Sequence, residues 1–199
     1  MLSETLPSGA LLSDALLSDV LPYGIEPPAI DNEIYLRHRA WMLRAIALAE
    51  TAGNAGEVPV AAIVVGPDNR LLAEATNRKE RDGDPTGHAE VLALRAAGKQ
   101  LGNWHLTGCV LYVTLEPCMM CAGAIVHARV AQLVYGADDF KTGAVRSVLN
   151  LPDSDCSNHK LDVLAGILEA PCRQQLQAWF QQRRQSRRAE KRQTEKHGQ

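Results

Sequence analysis

His88-Ala89-Glu90, followed by Pro117-Cys118-Met119-Met120-Cys121, constrains this chain more than any other feature. One imidazole and two thiols supply three ligands for a tetrahedral zinc, and a catalytic zinc site uses three protein ligands and keeps its fourth position for water. A fold that assembles this set must bring two distant segments to one point. Residues two apart on a helix do not share a face, so His88 and Glu90 converge only at a helix end, in its first turn. Asp84-Pro85-Thr86-Gly87 reads as the loop before that end, and Val91 to Ala97 as a run of mostly strong helix formers after it. Cys118 and Cys121 are three apart, share a helix face and follow Pro117. The expectation is two helix N-termini pointing at one metal, where their partial positive charge favours thiolate. Glu90 lies beside the ligand set and is free to move protons.

A lone C-x-x-C also suits a redox pair or half of a closed structural site. A closed site would call for a second such pair, and Cys109, Cys156 and Cys172 each stand alone. Cys109 is expected to be buried in a strand. Met119 and Met120 suit packing better than ligation, and His127 suits an interface or hydrogen-bonding role better than that of a fourth ligand. The five cysteines, two of them in the metal pair, argue for a reducing, cytoplasmic setting rather than a disulfide framework.

The 199 residues, 46% of them hydrophobic, suffice for one core-bearing domain with tails. No apolar run reaches the length of a membrane span. The net charge of −2 conceals a polarity. Residues 1–33 carry six acidic and no basic side chains, whereas 173–199 carry eight basic and two acidic ones. A basic end suits a nucleic-acid partner, and a solvated helix end is the plainer alternative.

Residues 1–32 repeat Leu-Leu-Ser-Asp and then carry Pro22, Pro27 and Pro28, without the basic region of a signal peptide. They read as an extension, mostly disordered, with a short helix near 10–20. Asp31 caps a helix whose stripe is Ile34, Trp41, Met42, Ile46 and Ala49. Strands are expected at 58–65 and 71–77, forming a hairpin, then at 109–114, 132–136 and 161–165. Helices are expected from His88 to about Gln100, from Cys118 to about Arg129, and from about 169 to 190. Strands alternating with helices predict an α/β fold, a three-layer α/β/α sandwich around a mixed five-stranded sheet. The domain spans 33–190 and a charged tail spans 191–199. Arg183, Arg184, Arg187 and Arg188 recur on the last helix and suit phosphates, and Trp179-Phe180 offers rings to the core or to RNA bases.

The H-x-E…P-C-x-x-C pattern is the signature of zinc nucleobase deaminases. From about residue 34 to 185 the chain resembles the bacterial tRNA-specific adenosine deaminases of the cytidine deaminase superfamily. The resemblance rests on Glu57-Val58-Pro59-Val60, Asn77-Arg78, Asp84-Pro85-Thr86, His88-Ala89-Glu90, Leu111 to Cys118, Met120 to Ala124 and Lys141 to Ala144. Gly87, His105, Asp138 and Phe140 depart from the pattern, and none of them is a ligand.

The resemblance implies hydrolytic conversion of adenosine to inosine at the wobble position of a tRNA, the arginine tRNA with an A-C-G anticodon. It implies one zinc per subunit on His88, Cys118 and Cys121, proton transfer by Glu90, and a base contact from Asn77. Asp139, Arg183 and Arg184 are the further candidate substrate contacts. The implied partners are a tRNA anticodon stem-loop and a second copy in a homodimer. A deaminase of guanine, cytidine or deoxycytidylate is the nearest alternative enzyme. A zinc-stabilised RNA-binding module without catalysis is the alternative of a different class, which Glu90 argues against.

Overall fold

The structure, a computed structural model, describes residues 32–197, with side chains over 33–190. The expected N-terminal extension and its short helix lie outside the described residues.

Helix α1 (Asn32–Asn54) leads into a hairpin of β1 (Ala61–Val65) and β2 (Leu71–Thr76). Asn69 makes the tight turn in the left-handed region (φ 61°), which asparagine tolerates better than most residues. The short α2 (Lys79–Asp82) and then α3 (Ala89–Leu101) follow. The chain continues through β3 (Val110–Leu115), α4 (Met119–His127), β4 (Gln132–Ala137), β5 (Asp162–Ala165) and α5 (Glu169–His197).

The five strands form one sheet in the order β2-β1-β3-β4-β5. The β1–β2 and β1–β3 pairs are antiparallel, and the β3–β4 and β4–β5 pairs are parallel, so the sheet is mixed as expected. Alternate residues of each strand face opposite layers. Val64, Leu111, Val113 and Leu133 pack on the α3 and α4 side. Ile63, Tyr112 and Val134 pack on the other side with Met42, Ala45 and Cys172 of α1 and α5. All seven strand residues are at most 1% exposed, so the sheet is a dry central layer.

Two expected boundaries move by three residues or more, and one short helix is added. Residues 58–60 precede β1 rather than belonging to it, because Pro59 lacks the N–H that a central strand must donate. The turn of α2, which the sequence reading omits, is too short to show a periodicity. Helix α5 runs past 190 to His197, through a segment without helix breakers.

Candidate active site

Strand β2 ends at Thr76, and the next residue, Asn77, donates its backbone N–H to Val60 O (2.9 Å). Arg78 N then donates to Gly87 O (2.9 Å), which ties the end of the hairpin to the turn before His88. Within that turn the Asp84 carboxylate accepts hydrogen bonds from Thr86 N (2.8 Å) and Thr86 Oγ1 (2.7 Å). His88 occupies the cap position of α3 with an extended backbone (φ −77°, ψ 146°), and Glu90 lies in the first turn. The second segment is built the same way. Glu116 N donates to Ala137 O (2.8 Å) at the C-terminal ends of β3 and β4, and Pro117 turns the chain. Cys118 then caps α4 (φ −72°, ψ 174°), and Cys121 lies one turn in. Both helix starts therefore fall where the sequence places them, beyond the carboxyl ends of strands, as in open α/β sheets generally.

The three candidate ligand atoms lie within 4.8 Å of one another. His88 Nδ1 is 3.5 Å from Cys121 Sγ and 3.7 Å from Cys118 Sγ. A tetrahedral zinc with ordinary Zn–N and Zn–S bonds needs a nitrogen–sulfur separation of about 3.6 Å, so the donor set fits zinc in kind and in spacing. The charges fit as well. The Cys118 thiolate is favoured by hydrogen bonding from Cys121, opposed by burial and helped by His88, so its pKa falls to about 4. The same sulfur–sulfur contact, with burial and the nearby Glu90, drives the Cys121 thiol up. The two sulfurs compete for one negative charge, and a divalent cation is the group that lets both ionise. His88 is raised by its contact with Cys118.

Glu90 is 4% exposed, and burial raises its pKa above the ordinary carboxylate value. That shift moves a carboxylate toward the range in which it both takes and gives protons near neutrality. Asn77 is also buried, and its Nδ2 donates to Glu57 Oε2 (2.9 Å).

Asp139 lies in the loop after β4, and its carboxylate accepts from Lys141 N (2.9 Å), Thr142 N (3.2 Å) and Thr142 Oγ1 (2.6 Å). That loop reaches the ligand turn, because Gly143 bridges Cys118 and Ala144 N donates to Pro117 O (2.9 Å). Arg183 and Arg184 are exposed on α5, which packs on α1, β3 and β4 across the sheet from α3 and α4. No described contact joins them to the ligand cluster. Trp179 is half-buried and donates its indole N–H to Gly53 O (3.2 Å), whereas Phe180 is 43% exposed. Cys109 is buried, just before β3, and His127 is exposed at the far end of α4 from Cys118.

Sequence reasoning passes over two buried carboxylates. Glu116 accepts hydrogen bonds from the backbone of Asp139, Val145, Arg146 and Ser147, and from the Ser147 hydroxyl. Burial alone would raise its pKa, but the donors from Ser147, Arg146 and Asp139 outweigh it and hold the group ionised. Glu57 is the second. Each is an acidic residue at the end of an apolar run, and that local mismatch is the signal that could have found them.

The family profile described as MafB19-like deaminase matches residues 36–184. The tRNA-specific adenosine deaminase of Haemophilus influenzae is 45% identical over 150 residues, 75% of this chain and 87% of that protein. The tRNA-specific adenosine deaminase of Bacillus subtilis is 42% identical over 149 residues, 75% of this chain and 92% of that protein. A structure from studies of A-to-I editing by tRNA:A34 deaminases at the wobble position of transfer RNA superposes with a TM-score of 0.66. It is 40% identical and covers 68% of this chain and 99% of that one.

Proposed function

This chain belongs to the tRNA-specific adenosine deaminases, a family of hydrolytic deaminases, and we propose that it converts adenosine to inosine at the wobble position of a tRNA anticodon. The arginine tRNA with an A-C-G anticodon is the substrate we infer. The single observation that carries the reading is the His88, Cys118, Cys121 cluster with a buried, unligated Glu90 beside it. A structural metal site has no use for that carboxylate.

His88, Cys118 and Cys121 would hold one zinc, which when bound supplies the Lewis acidity that activates water. Glu90 takes a proton from the water that attacks C6 of the adenine. It gives that proton to N1, then takes the proton of the hydroxyl now on C6 and passes it to the departing amine as the C6–N bond breaks, so adenosine and water become inosine and ammonia. Asn77 holds the flipped-out base by its edge. Asp139 orders the loop beside Cys118 and lies on the RNA side of the site. Arg183 and Arg184 extend a cationic surface along α5 for phosphates of the stem.

A homodimer is part of this reading. Support comes from exposed apolar residues beside the site: Met119 is 65% exposed, Val148 52% and Leu149 49%. Val148 N and Leu149 N both donate to Gly143 O, the residue that bridges Cys118. Among the described residues, no helix is long and apolar enough to cross a membrane, and we assign the enzyme to the cytoplasm with its tRNA substrate.

The test is ammonia release from an A-C-G anticodon stem-loop beside guanine, cytidine and deoxycytidylate. The stem-loop is the expected substrate. Faster turnover of any of the small substrates would replace this reading with that of a free-base or nucleotide deaminase.

A further inference from the structure

Glu57 stands in the segment between α1 and β1 and is 2% exposed. Its backbone N–H donates to Ala52 O (3.0 Å), which anchors it to the end of α1. Its carboxylate accepts from three residues. Oε1 accepts from Arg81 N (2.6 Å), and Oε2 accepts from Glu80 N (3.3 Å) and from Asn77 Nδ2 (2.9 Å). A carboxylate of this kind only accepts, whereas an amide can turn either its NH2 or its carbonyl oxygen toward a neighbour. Beside Glu57 the choice is forced, because a flipped Asn77 would set its oxygen against a carboxylate oxygen with no proton between them. The nitrogen faces Glu57, and among the described residues no donor reaches Asn77 Oδ1. The main chain at Asn77 is pinned as well, by Asn77 N to Val60 O and by the next residue's Arg78 N to Gly87 O, one residue before His88.

We propose that Glu57 is a positioning residue for base recognition, whose buried carboxylate locks the Asn77 amide in one of its two orientations, carbonyl oxygen and second N–H left for the base. The proposal rests on the reading of Asn77 as a base contact. An amide fixed in this way offers one acceptor and one donor in a set order. Adenine presents a matching pair on its N7 edge, the N7 acceptor and the 6-amino donor. Guanine presents two acceptors there, N7 and O6, and leaves the amide oxygen facing another oxygen. Glu57 would thus act on selectivity without touching the substrate.

Glu57→Gln is the informative variant. Its amide oxygen can still accept from Arg81 N, so the 77–82 segment keeps its tie, while its amide nitrogen donates to Asn77 Oδ1 and turns that amide around. Four zinc-loaded full-length proteins are compared on an adenosine-containing anticodon stem-loop: the native chain, Glu57→Gln, Asn77→Ala and the double variant. Single-turnover rate, KM, zinc content and melting temperature are read for each. Asn77→Ala is expected to lower kcat/KM about tenfold to a hundredfold, and Glu57→Gln about tenfold, with zinc retained. In the Asn77→Ala background, Glu57→Gln is expected to have no further effect, because its influence passes through that one amide.

Native kinetics for Glu57→Gln beside an impaired Asn77→Ala would overturn the proposal and leave the base contact standing. Native kinetics for Asn77→Ala would remove the base contact and the proposal with it. An equal loss from Glu57→Gln in both backgrounds, or a chain that does not fold, would assign Glu57 to the framework and also overturn it.

Discussion

Glu90 and His88 are two residues apart, yet their tasks differ because a helix start sets them at different angles. His88 caps α3 and turns to the two sulfurs, while Glu90 lies in the first turn, buried and outside the ligand set. Cys118→Ser and Cys121→Ser should each lose zinc, since a hydroxyl is a poor donor at neutral pH. Full occupancy by metal analysis in either variant would remove that residue from the ligand set. Glu90→Ala should keep zinc and fold and lose turnover by about a hundredfold or more. Turnover within a few-fold of native would leave Glu90 without a proton-transfer role.

Arg146 donates to both Asp138 oxygens (3.0 Å each), and this pairing holds the Asp138 carboxyl below its ordinary pKa. A group whose pKa is depressed by folding contributes stability above its unfolded value, near 4, and loses it as pH falls through the folded value. Arg146 is half exposed, so solvent screens the pair and the contribution is about 1 kcal/mol. Asp138→Asn should therefore cost about that much in denaturant titration at pH 7 and almost nothing near pH 2. An equal cost at both values would show that the ion pair is not its source.

At the scale of elements, the parts of the site that obey short-range rules were legible. The capping positions of α3 and α4 follow from the spacing of His88, Glu90, Cys118 and Cys121, and the strand that delivers Pro117 follows from its apolar run. Glu57 with Asn77, and Glu116 with the loop at 139–147, were not legible as pairs. They join residues about twenty to thirty positions apart, and no local pattern encodes which distant amide a buried carboxylate will meet. β1 starts at Ala61 and not at 58, because Pro59 cannot donate to the ladder although the apolar content extends through Val58 and Val60.

Helix α5 divides at Trp179. Cys172 and Leu176 are buried before it, and every residue from Gln181 to Glu190 is exposed. Ending the chain after Gln182 should leave zinc content and melting temperature unchanged, because Trp179 stays docked on Gly53. The shortened protein should bind an anticodon stem-loop less tightly. Its dependence of log affinity on log salt should be shallower by about 0.7 to 0.9 for each phosphate contact removed. Unchanged affinity and slope would mean that Arg183, Arg184 and their neighbours form only a solvated face.

On the scale of the whole molecule, the sheet separates two duties. One face packs α3 and α4, whose N-termini carry the candidate ligands and Glu90, and the other packs α1 and α5. Charge is divided along the chain as well, acidic over 1–33 and basic over 173–199. A cationic surface on α5 and a candidate metal site beyond the ends of β3 and β4 together suit a large anionic substrate offering one base to a small buried site. Sequencing of a tRNA pool incubated with the zinc-loaded protein tests that combination. Adenosine should be read as inosine at the wobble position of the tRNA with an A-C-G anticodon, and a parallel Glu90→Ala sample should show no change. An unaltered pool from protein with full zinc content, or inosine only at positions outside the anticodon, would contradict it.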